Sequence, residues 1–273
     1  MSDIRSILLH LDATPGSAAR LALARALADR HGARVTALFG VRPDPSQTSF
    51  AYSAGAALQA AEAQGAPLDS ERARLQDLLA AGERECLWCD VVGDSVVHGF
   101  VAEAAYADLL VIGAPSGADD GGPPAGFVQS VILQSGTPAI VVPAAQLPGT
   151  LGERVLVAWD GSVPAARALK AALPLLQRAA AVEVVSCARQ APAAPFSGIG
   201  PATWLQRHGV EATMHVHPAQ PDVADQLRAI AERSGADLLV MGCYGHSRFR
   251  EQVFGGVTRG LLARLPVPVL MAH

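Results

Sequence analysis

The segment Gly242–Thr258, GCYGHSRFREQVFGGVT, has two glycines near its start, two near its end and polar, partly basic residues between them. Glycine loses more conformational entropy on folding than any other residue, so four in one segment indicate a backbone that turns sharply or approaches another group closely. Gly255 and Gly256 come directly before VTRGLLARL, which predicts a helix. Because a helix start presents free N–H groups and a partial positive charge, this spacing predicts a phosphate-binding loop.

The residues of this loop have separate expected roles. Gly242 ends an apolar run, Gly245 lets the backbone approach a bound group, and Val257 and Thr258 add N–H groups and a hydroxyl. Side chains that would add positive charge are His246, Arg248 and Arg250. Tyr244 would either cover a ligand or pack the loop. The competing interpretation is that the glycines only permit a tight turn and a helix cap.

The elements around this loop occur twice in the chain. Residues 107–113 read ADLLVIG and residues 236–242 read ADLLVMG. Each copy opens with a similar strand, ILLHLDAT or VLVAWDGS, and closes with a Pro-led apolar strand, PAIVV or PVLMA. The chain is therefore predicted to contain two domains of one kind, 1–146 and 152–273.

Each copy alternates strands and helices. In the second copy the pattern predicts the strands VLVAWD, VEVVSCA, EATMHVH, DLLVMG and PVLMA, with helices between them. Several of these strands are continuous apolar runs, as a parallel sheet covered on both faces requires. The predicted fold class is α/β, with two tandem doubly wound domains, each a five-stranded parallel sheet with helices on both faces. The first copy has a longer insert that includes the helical stretch DSERARLQDLLAAG.

A doubly wound sheet binds ligands at the carboxyl ends of its strands, where the chain order reverses beside the first strand. In the second copy, Asp160, Gly161 and Ser162 end the first strand, and the fourth strand ends at Gly242. We therefore expect two polar, glycine-containing segments to converge on one pocket.

Both copies resemble the universal stress protein family, whose nucleotide motif is Gly, two residues, Gly, nine residues, Gly, and then Ser or Thr. Gly242, Gly245 and Gly255 fit this spacing, whereas Gly256 stands at the hydroxyl position and is followed by Val257 and Thr258. The resemblance covers nearly the whole chain. It implies Rossmann-like domains of the adenine nucleotide alpha hydrolase-like type.

The resemblance implies ATP, or a related adenine nucleotide such as ADP or AMP, as the ligand. Apart from the resemblance, the Asp160 carboxylate could hold an accompanying Mg²⁺ ion or orient a water. Asp160 would lie near the adenosine, the backbone at Cys187 and Ala188 would meet the adenine, and the glycine loop with Thr258 would take the phosphates. The expected nucleotide-binding residues are Asp160, Gly161, Ser162, Cys187, Ala188, Gly242, Gly245, His246, Arg248, Gly255, Gly256, Val257 and Thr258. No catalytic and no metal-ligating residue is predicted.

The first copy departs from the motif. Aligned on the Pro-led strands, residues 125–128 (AGFV) replace residues 255–258 (GGVT), so the Thr hydroxyl is lost. Asp119 and Asp120 would repel a phosphate, and the loop's prolines lack N–H donors. We expect this domain not to bind ATP and to serve as a structural partner of the second; a looser ligand role is the alternative.

Other candidate residues have simpler interpretations. Asp12, which matches Asp160, is expected to cap a helix. His10 is expected to be a hydrogen-bonded core residue. His215 and His217 share a strand face but lack an evident third metal ligand. The cysteines of CLWC (residues 86–89) lie three apart on a predicted strand and are interpreted as two unrelated thiols.

Composition and missing motifs exclude several function classes. A net charge of −4 argues against a protein that binds a nucleic-acid duplex. No apolar run reaches membrane-spanning length, and the first residues lack a secretory pattern, so a cytoplasmic protein without a membrane partner is expected. The chain also lacks GxxxxGK[ST], a strand-linked GxGxxG and GxSxG, the signatures of P-loop NTPases, dinucleotide dehydrogenases and hydrolases.

The resulting hypothesis is a nucleotide-binding sensor or regulator of the stress response, not an enzyme, although slow ATP hydrolysis is a secondary option. The alternative is a dimeric interaction module with a vestigial pocket. An adenylate-forming enzyme is disfavoured because no acid/base pair is evident. Bare apolar strands invite pairing, so PAIVV and PVLMA are expected to pair with each other or with another chain. The two copies would then form an internal pseudo-dimer, and the family resemblance implies a homodimer as well.

Overall fold

The computed structural model describes residues 3–40, 69–82, 85–91, 96–115, 123, 126–144, 149–187, 198–245 and 256–273. The chain forms two compact units, residues 4–131 and residues 132–273, and the second unit also includes Asp3 from the start of the chain. Both are α/β, so the predicted fold class is confirmed. None of the helices in the described ranges combines the length and apolar character that a bilayer span requires.

The N-terminal unit contains a parallel sheet. Its elements are β1 (Ser6–Leu11), α1 (Gly16–His31), β2 (Arg34–Phe39), α2 (69–80), β3 (Cys86–Asp90), α3 (Val96–Ala104) and β4 (Leu109–Gly113). The strand order is β3-β2-β1-β4, with every pair parallel. Ile7 pairs with Val35 on one side and Leu109 on the other, so β1 is central. The helix α4 (Phe127–Ser135) follows.

The C-terminal unit contains the five strands predicted for the second copy. Its elements are β5 (Ala139–Val142), β6 (Arg154–Ala158), α5 (Val163–Leu176), β7 (Ala181–Cys187), α6 (Pro201–Arg207), β8 (Thr213–His217), α7 (Val223–Ser234), β9 (Leu238–Gly242), α8 (Val257–Ala263) and β10 (Val269–Ala272). The strand order is β5-β10-β9-β6-β7-β8. Strands β6 to β10 pair in parallel, with β6 in the centre.

The two Pro-led strands pair with each other, which confirms one of the two expected pairings. β5 and β10 are antiparallel, with Val141 opposite Val269. β5 is the last strand of the first sequence copy, yet it pairs with β10. The boundary between the compact units, at residues 131 and 132, therefore comes before the predicted boundary between the two sequence copies, at residues 146–152. The domain ranges 1–146 and 152–273 stay a prediction about the repeat.

Burial explains the continuous apolar strands. All five residues of β4 are buried, and Leu238–Met241 of β9 are buried as well.

Local sequence signals determine where α7 begins and ends. The Asp222 side chain accepts a hydrogen bond from the Asp225 N–H at 3.0 Å at the start of α7. Gly235 ends that helix in the left-handed region at φ 61°.

The aspartate of ADLLVMG has a structural role. The Asp237 carboxylate, 5 % exposed, accepts hydrogen bonds from the backbone N–H groups of Gly152, Glu153 and Arg154 at 2.9, 3.0 and 3.1 Å. It also accepts one from the Thr150 hydroxyl at 2.8 Å. This carboxylate therefore joins the chain entering β6 to the start of β9, and it aligns the two strands whose far ends form the candidate site.

Candidate functional site

The carboxyl ends of β6, β7 and β9 border one crevice of about 270 Å³ in the C-terminal unit. Of the expected nucleotide-binding residues, those lining it are Asp160, Ser162, Cys187, Gly242, Gly245, Val257 and Thr258. The other lining residues are Ala158, Trp159, Val185, Val223, Leu227, Met241 and Tyr244. The crevice lies where the chain order reverses beside the first strand of this unit, as a doubly wound sheet predicts.

The end of β6 forms a tight turn on the polar side of the crevice. The Asp160 carboxylate accepts a hydrogen bond from the Ser162 N–H at 2.9 Å, and Gly161 has φ 78°. The Ser162 hydroxyl oxygen accepts one from the Ala165 N–H at 3.2 Å and so caps α5. The hydrogen bond to Ser162 holds the Asp160 carboxylate in this turn. Asp160 is exposed, so the carboxylate is also accessible to solvent. Gly161 shapes this turn without lining the crevice.

The end of β9 lies directly against α5. A Cβ atom on Gly242 would stand 2.5 Å from the carbonyl carbon of Pro164, closer than packed carbon atoms approach each other. Gly242 therefore lets the start of α5 meet the strand. Two residues later, Tyr244 has φ 55°, the one non-glycine residue with positive φ in the described part of the chain. Strained backbone of this kind clusters at functional sites.

The start of α8 also lines the crevice, through Val257 and Thr258. Gly256 precedes this helix as its N-cap, and Val257 and Thr258 form its first residues. Thr258 is 2 % exposed, and its hydroxyl oxygen accepts a hydrogen bond from the Tyr244 N–H at 3.4 Å. A hydroxyl that accepts one hydrogen bond still carries a proton to donate. Thr258 therefore links the helix start to the loop after β9 and retains a donor.

An apolar wall also lines the crevice. It consists of Val185 and Cys187 of β7, Val223 and Leu227 of α7, and Met241 of β9. Burial raises the pKa of the Cys187 thiol, so this thiol stays neutral near pH 7. The crevice thus combines an apolar side with a polar, glycine-containing side. That combination is typical of sites for small organic ligands with a charged end.

Residues 152–273 match the model of the Universal stress protein family. This segment belongs to the universal stress protein family. A search of curated protein sequences found no significant match.

Solved structures with the same fold extend over both parts of the chain. A universal stress protein from Archaeoglobus fulgidus DSM 4304 superposes with a TM-score of 0.70 at 18% identity, over 98% of this chain and 95% of that one. A putative universal stress protein from Pseudomonas aeruginosa UCBPP-PA14 has a TM-score of 0.59 at 18% identity, over 98% of this chain and 93% of that one. At this identity the likeness shows the fold alone, and it supports the tandem arrangement that the repeat predicted.

Four expected residues of the universal stress protein domain, Ala188, His246, Arg248 and Gly255, lie outside the described residues. Sequence reasoning missed Trp159 and the wall residues Val223 and Leu227. A signal existed for each. Trp159 is an aromatic residue directly before Asp160, and the pair on α7 has the i, i+4 spacing of one helix face.

The histidine pair on β8 does not line this crevice. The rings of His215 and His217 are 6.4 Å apart, and His215 Nε2 is 3.8 Å from Glu183 Oε1. Within the described ranges, no group of three or more His, Cys, Asp and Glu side chains is arranged to hold a metal ion. Cys86 and Cys89 belong to β3, as predicted, and are free thiols.

The corresponding strand end of the N-terminal unit has different chemistry. The expected capping role of Asp12 is wrong, because Pro15 is the N-cap of α1 and provides no side-chain cap. The Asp12 carboxylate, 1 % exposed, instead forms an ion pair with Arg20 at 2.7 Å and accepts a hydrogen bond from the Thr14 N–H at 2.9 Å. Burial would raise the pKa of Asp12, but the Arg20 charge and these polar neighbours outweigh it and lower the pKa.

His10 is the hydrogen-bonded core residue that the sequence predicted. Its side chain is fully buried, and Nε2 donates to the carbonyl oxygen of Gly40 at 3.1 Å. Burial lowers the pKa of His10 to about 4 despite the nearby Asp12 carboxylate. The imidazole is therefore neutral near pH 7.

Proposed function

We propose that residues 152–273 bind ATP, or a related adenine nucleotide, in the crevice at the ends of β6, β7 and β9. The protein would act by binding, as a sensor or regulator in a stress response, and not by rapid turnover. One observation carries the proposal: an apolar wall and two polar, glycine-containing segments border the same crevice of about 270 Å³. A nucleotide has this polarity, with the weakly polar ring faces of a purine at one end and phosphates at the other.

The wall residues suit the purine. Val185, Val223, Leu227 and Met241 offer aliphatic carbon to the faces of a flat ring, and burying that surface favours binding. The strand end at Cys187 brings backbone groups to the same wall, where they could meet the polar edge of the base. The exposed Asp160 carboxylate is an acceptor suited to ribose hydroxyls or to a hydrated cation.

The phosphates would lie beside Gly245 and the start of α8. Gly245 keeps side-chain bulk away from the loop, and Val257 and Thr258 add N–H groups and one hydroxyl. Mg²⁺ in nucleotide sites is bound by one or two carboxylates together with the phosphates, and Asp160 is the carboxylate that lines this crevice. It would hold the ion and offset the phosphate charge.

Calorimetric titration of the full chain with ATP and Mg²⁺ tests the proposal. In the Gly245→Asp variant, a carboxylate would enter beside Ser162, whose hydroxyl oxygen stands 3.2 Å from the position of a Cβ on Gly245. Repulsion of the phosphates should weaken binding at least about tenfold. Gly149→Asp is the matched control, since Gly149 is exposed and a Cβ there meets nothing within 4 Å.

Two results would contradict the proposal. Wild-type protein that shows no binding heat and co-purifies without nucleotide would favour the alternative, an interaction module with a vestigial pocket. If the Gly245→Asp and Gly149→Asp variants bound ATP with equal affinity, the phosphates would not lie beside Gly245. The homodimer and the cytoplasmic location stay predictions; sedimentation of the full chain checks the first and cell fractionation the second.

A further inference from the structure

One buried position differs in charge between the two sequence copies. Arg20 stands eight residues after Asp12, and Ala168 stands eight residues after Asp160. Both are buried, at 5 % and 0 % exposed. Neighbouring buried positions correspond in the same register: Ser17 with Ala165, Leu21 with Leu169, and Ala24 with Ala172. α1 and α5 thus bury the same face, and at this position only α1 carries a cation.

Oxygen acceptors surround the Arg20 guanidinium. Its Nη2 lies 2.7 Å from Asp12 Oδ1 and donates to the Ser17 hydroxyl oxygen at 2.7 Å. Its Nε donates to the carbonyl oxygen of His10 at 3.1 Å. Nη1 makes a longer hydrogen bond, 3.5 Å, to the Thr14 hydroxyl oxygen. The contacts therefore come from a carboxylate, a carbonyl and two hydroxyls, a set that favours a cation and repels an anion.

The position of this guanidinium is that of a ligand in a doubly wound sheet. A Cβ atom on Gly113, the last residue of β4, would stand 3.0 Å from Cζ of Arg20 and closer still to Nη1. The guanidinium thus fills the gap between the carboxyl ends of β1 and β4, the place where such sheets bind ligands. In the C-terminal unit the matching glycine, Gly242, contacts the backbone of α5.

We propose that the N-terminal unit contains a cation-binding site whose occupant is the protein's own Arg20 side chain. The site recognises a small planar cation through Asp12, the His10 carbonyl and the hydroxyls of Ser17 and Thr14. Covalent attachment keeps this site permanently filled, so no free cation enters it in the intact protein. Removing the side chain leaves a cavity that binds free guanidinium.

Thermal unfolding of the full-length Arg20→Ala variant, with guanidinium chloride at about ten millimolar, tests this inference. Bound guanidinium should raise the unfolding midpoint of the variant by roughly 2–4 °C relative to the same concentration of sodium chloride. Wild type should show no rise, because the site is filled. Asp12→Asn/Arg20→Ala should lose the rise. A rise in wild type, or none in folded Arg20→Ala, would overturn the proposal.

A second pair of variants applies if Arg20→Ala does not fold. Arg20→Lys keeps a cation on a long stem, and Arg20→Met keeps a similar stem without charge. A cation site predicts a higher unfolding midpoint for the Lys variant, because Asp12 keeps a partner. If the arginine only fills space, the Met variant would be at least as stable, and that result would also overturn the proposal.

Discussion

Gly242 lies so close to Ala165 that a Cβ atom on the glycine would stand 2.8 Å from the alanine Cα. The end of β9 and the first turn of α5 are therefore in direct backbone contact. At Gly245 the nearest atom to such a Cβ is the Ser162 hydroxyl oxygen, 3.2 Å away and part of a side chain that can move. The first glycine of the motif is thus required by packing, whereas the second leaves space beside the crevice.

This difference predicts unequal effects of two alanine substitutions. Gly242→Ala forces the helix away from the strand and should reduce the free energy of unfolding by about 2–3 kcal/mol or more. Gly245→Ala needs only a small shift of the Ser162 side chain and should cost less than about 1 kcal/mol. Urea unfolding of both variants measures this. If Gly242→Ala reduced the free energy of unfolding as little as Gly245→Ala, the backbone contact at Gly242 would relax without penalty.

Cys187 provides a footprint of the proposed ligand. Because burial raises the pKa of its thiol, alkylation by iodoacetamide at pH 7 should be slower at Cys187 than at the exposed Cys89. ATP should slow the reaction at Cys187 further and leave Cys89 unchanged. Mass spectrometry of digested protein follows both sites. If ATP binds by calorimetry but does not protect Cys187, the base lies elsewhere.

Asp237→Asn should destabilise the C-terminal unit by about 2–3 kcal/mol. Both carboxylate oxygens of Asp237 accept hydrogen bonds from two donors each, so an amide NH₂ at either position would face a donor. Asp108 is the matched control, because its Oδ2 accepts from the N–H groups of Arg5 and Ser6, and an asparagine oxygen can replace it. Chemical denaturation should therefore show a smaller loss for Asp108→Asn than for Asp237→Asn.

The stability of the protein should depend on pH through His10. Burial and the Arg20 charge lower its pKa, the Asp12 carboxylate raises it, and the result is a shift from 6.5 to about 4. The unfolded chain therefore binds this proton more readily. The stabilising contribution is complete above pH 6.5 and is lost as the pH falls towards 4. The loss is on the order of 3 kcal/mol.

His10→Gln keeps an N–H donor for the Gly40 carbonyl and has no titrating group. Unfolding free energies measured by denaturant at several pH values between 4 and 7 should therefore vary less in the variant than in wild type. The Asp12 contribution falls mostly below this range, because the pKa of its carboxyl lies below the ordinary value. If the unfolding free energies of wild type and His10→Gln changed with pH in parallel, His10 would bind its proton as readily in the folded protein as in the unfolded chain.

Much of the fold and part of the site followed from local patterns. The apolar runs and the repeated ADLLVIG and ADLLVMG segments predicted the strands β6 to β10 of the C-terminal unit and their parallel pairing. The glycine spacing and the strand ends predicted that Asp160, Gly245 and Thr258 would meet, and they line one crevice. These predictions succeed because strand and helix periodicity act over a few residues, and parallel order brings the carboxyl ends together.

The sequence by itself determined the elements, their order and the polar side of the crevice. Only the tertiary structure decided that α7 supplies Val223 and Leu227 to the apolar wall, and that Arg20 reaches across to Asp12 and Gly113. Asp12 and Asp160 occupy matching strand ends, yet one is buried in an ion pair and the other is exposed. The physical reason is that the partner of a charged side chain depends on which residues the fold brings within a few ångströms, and chain periodicity carries no such information.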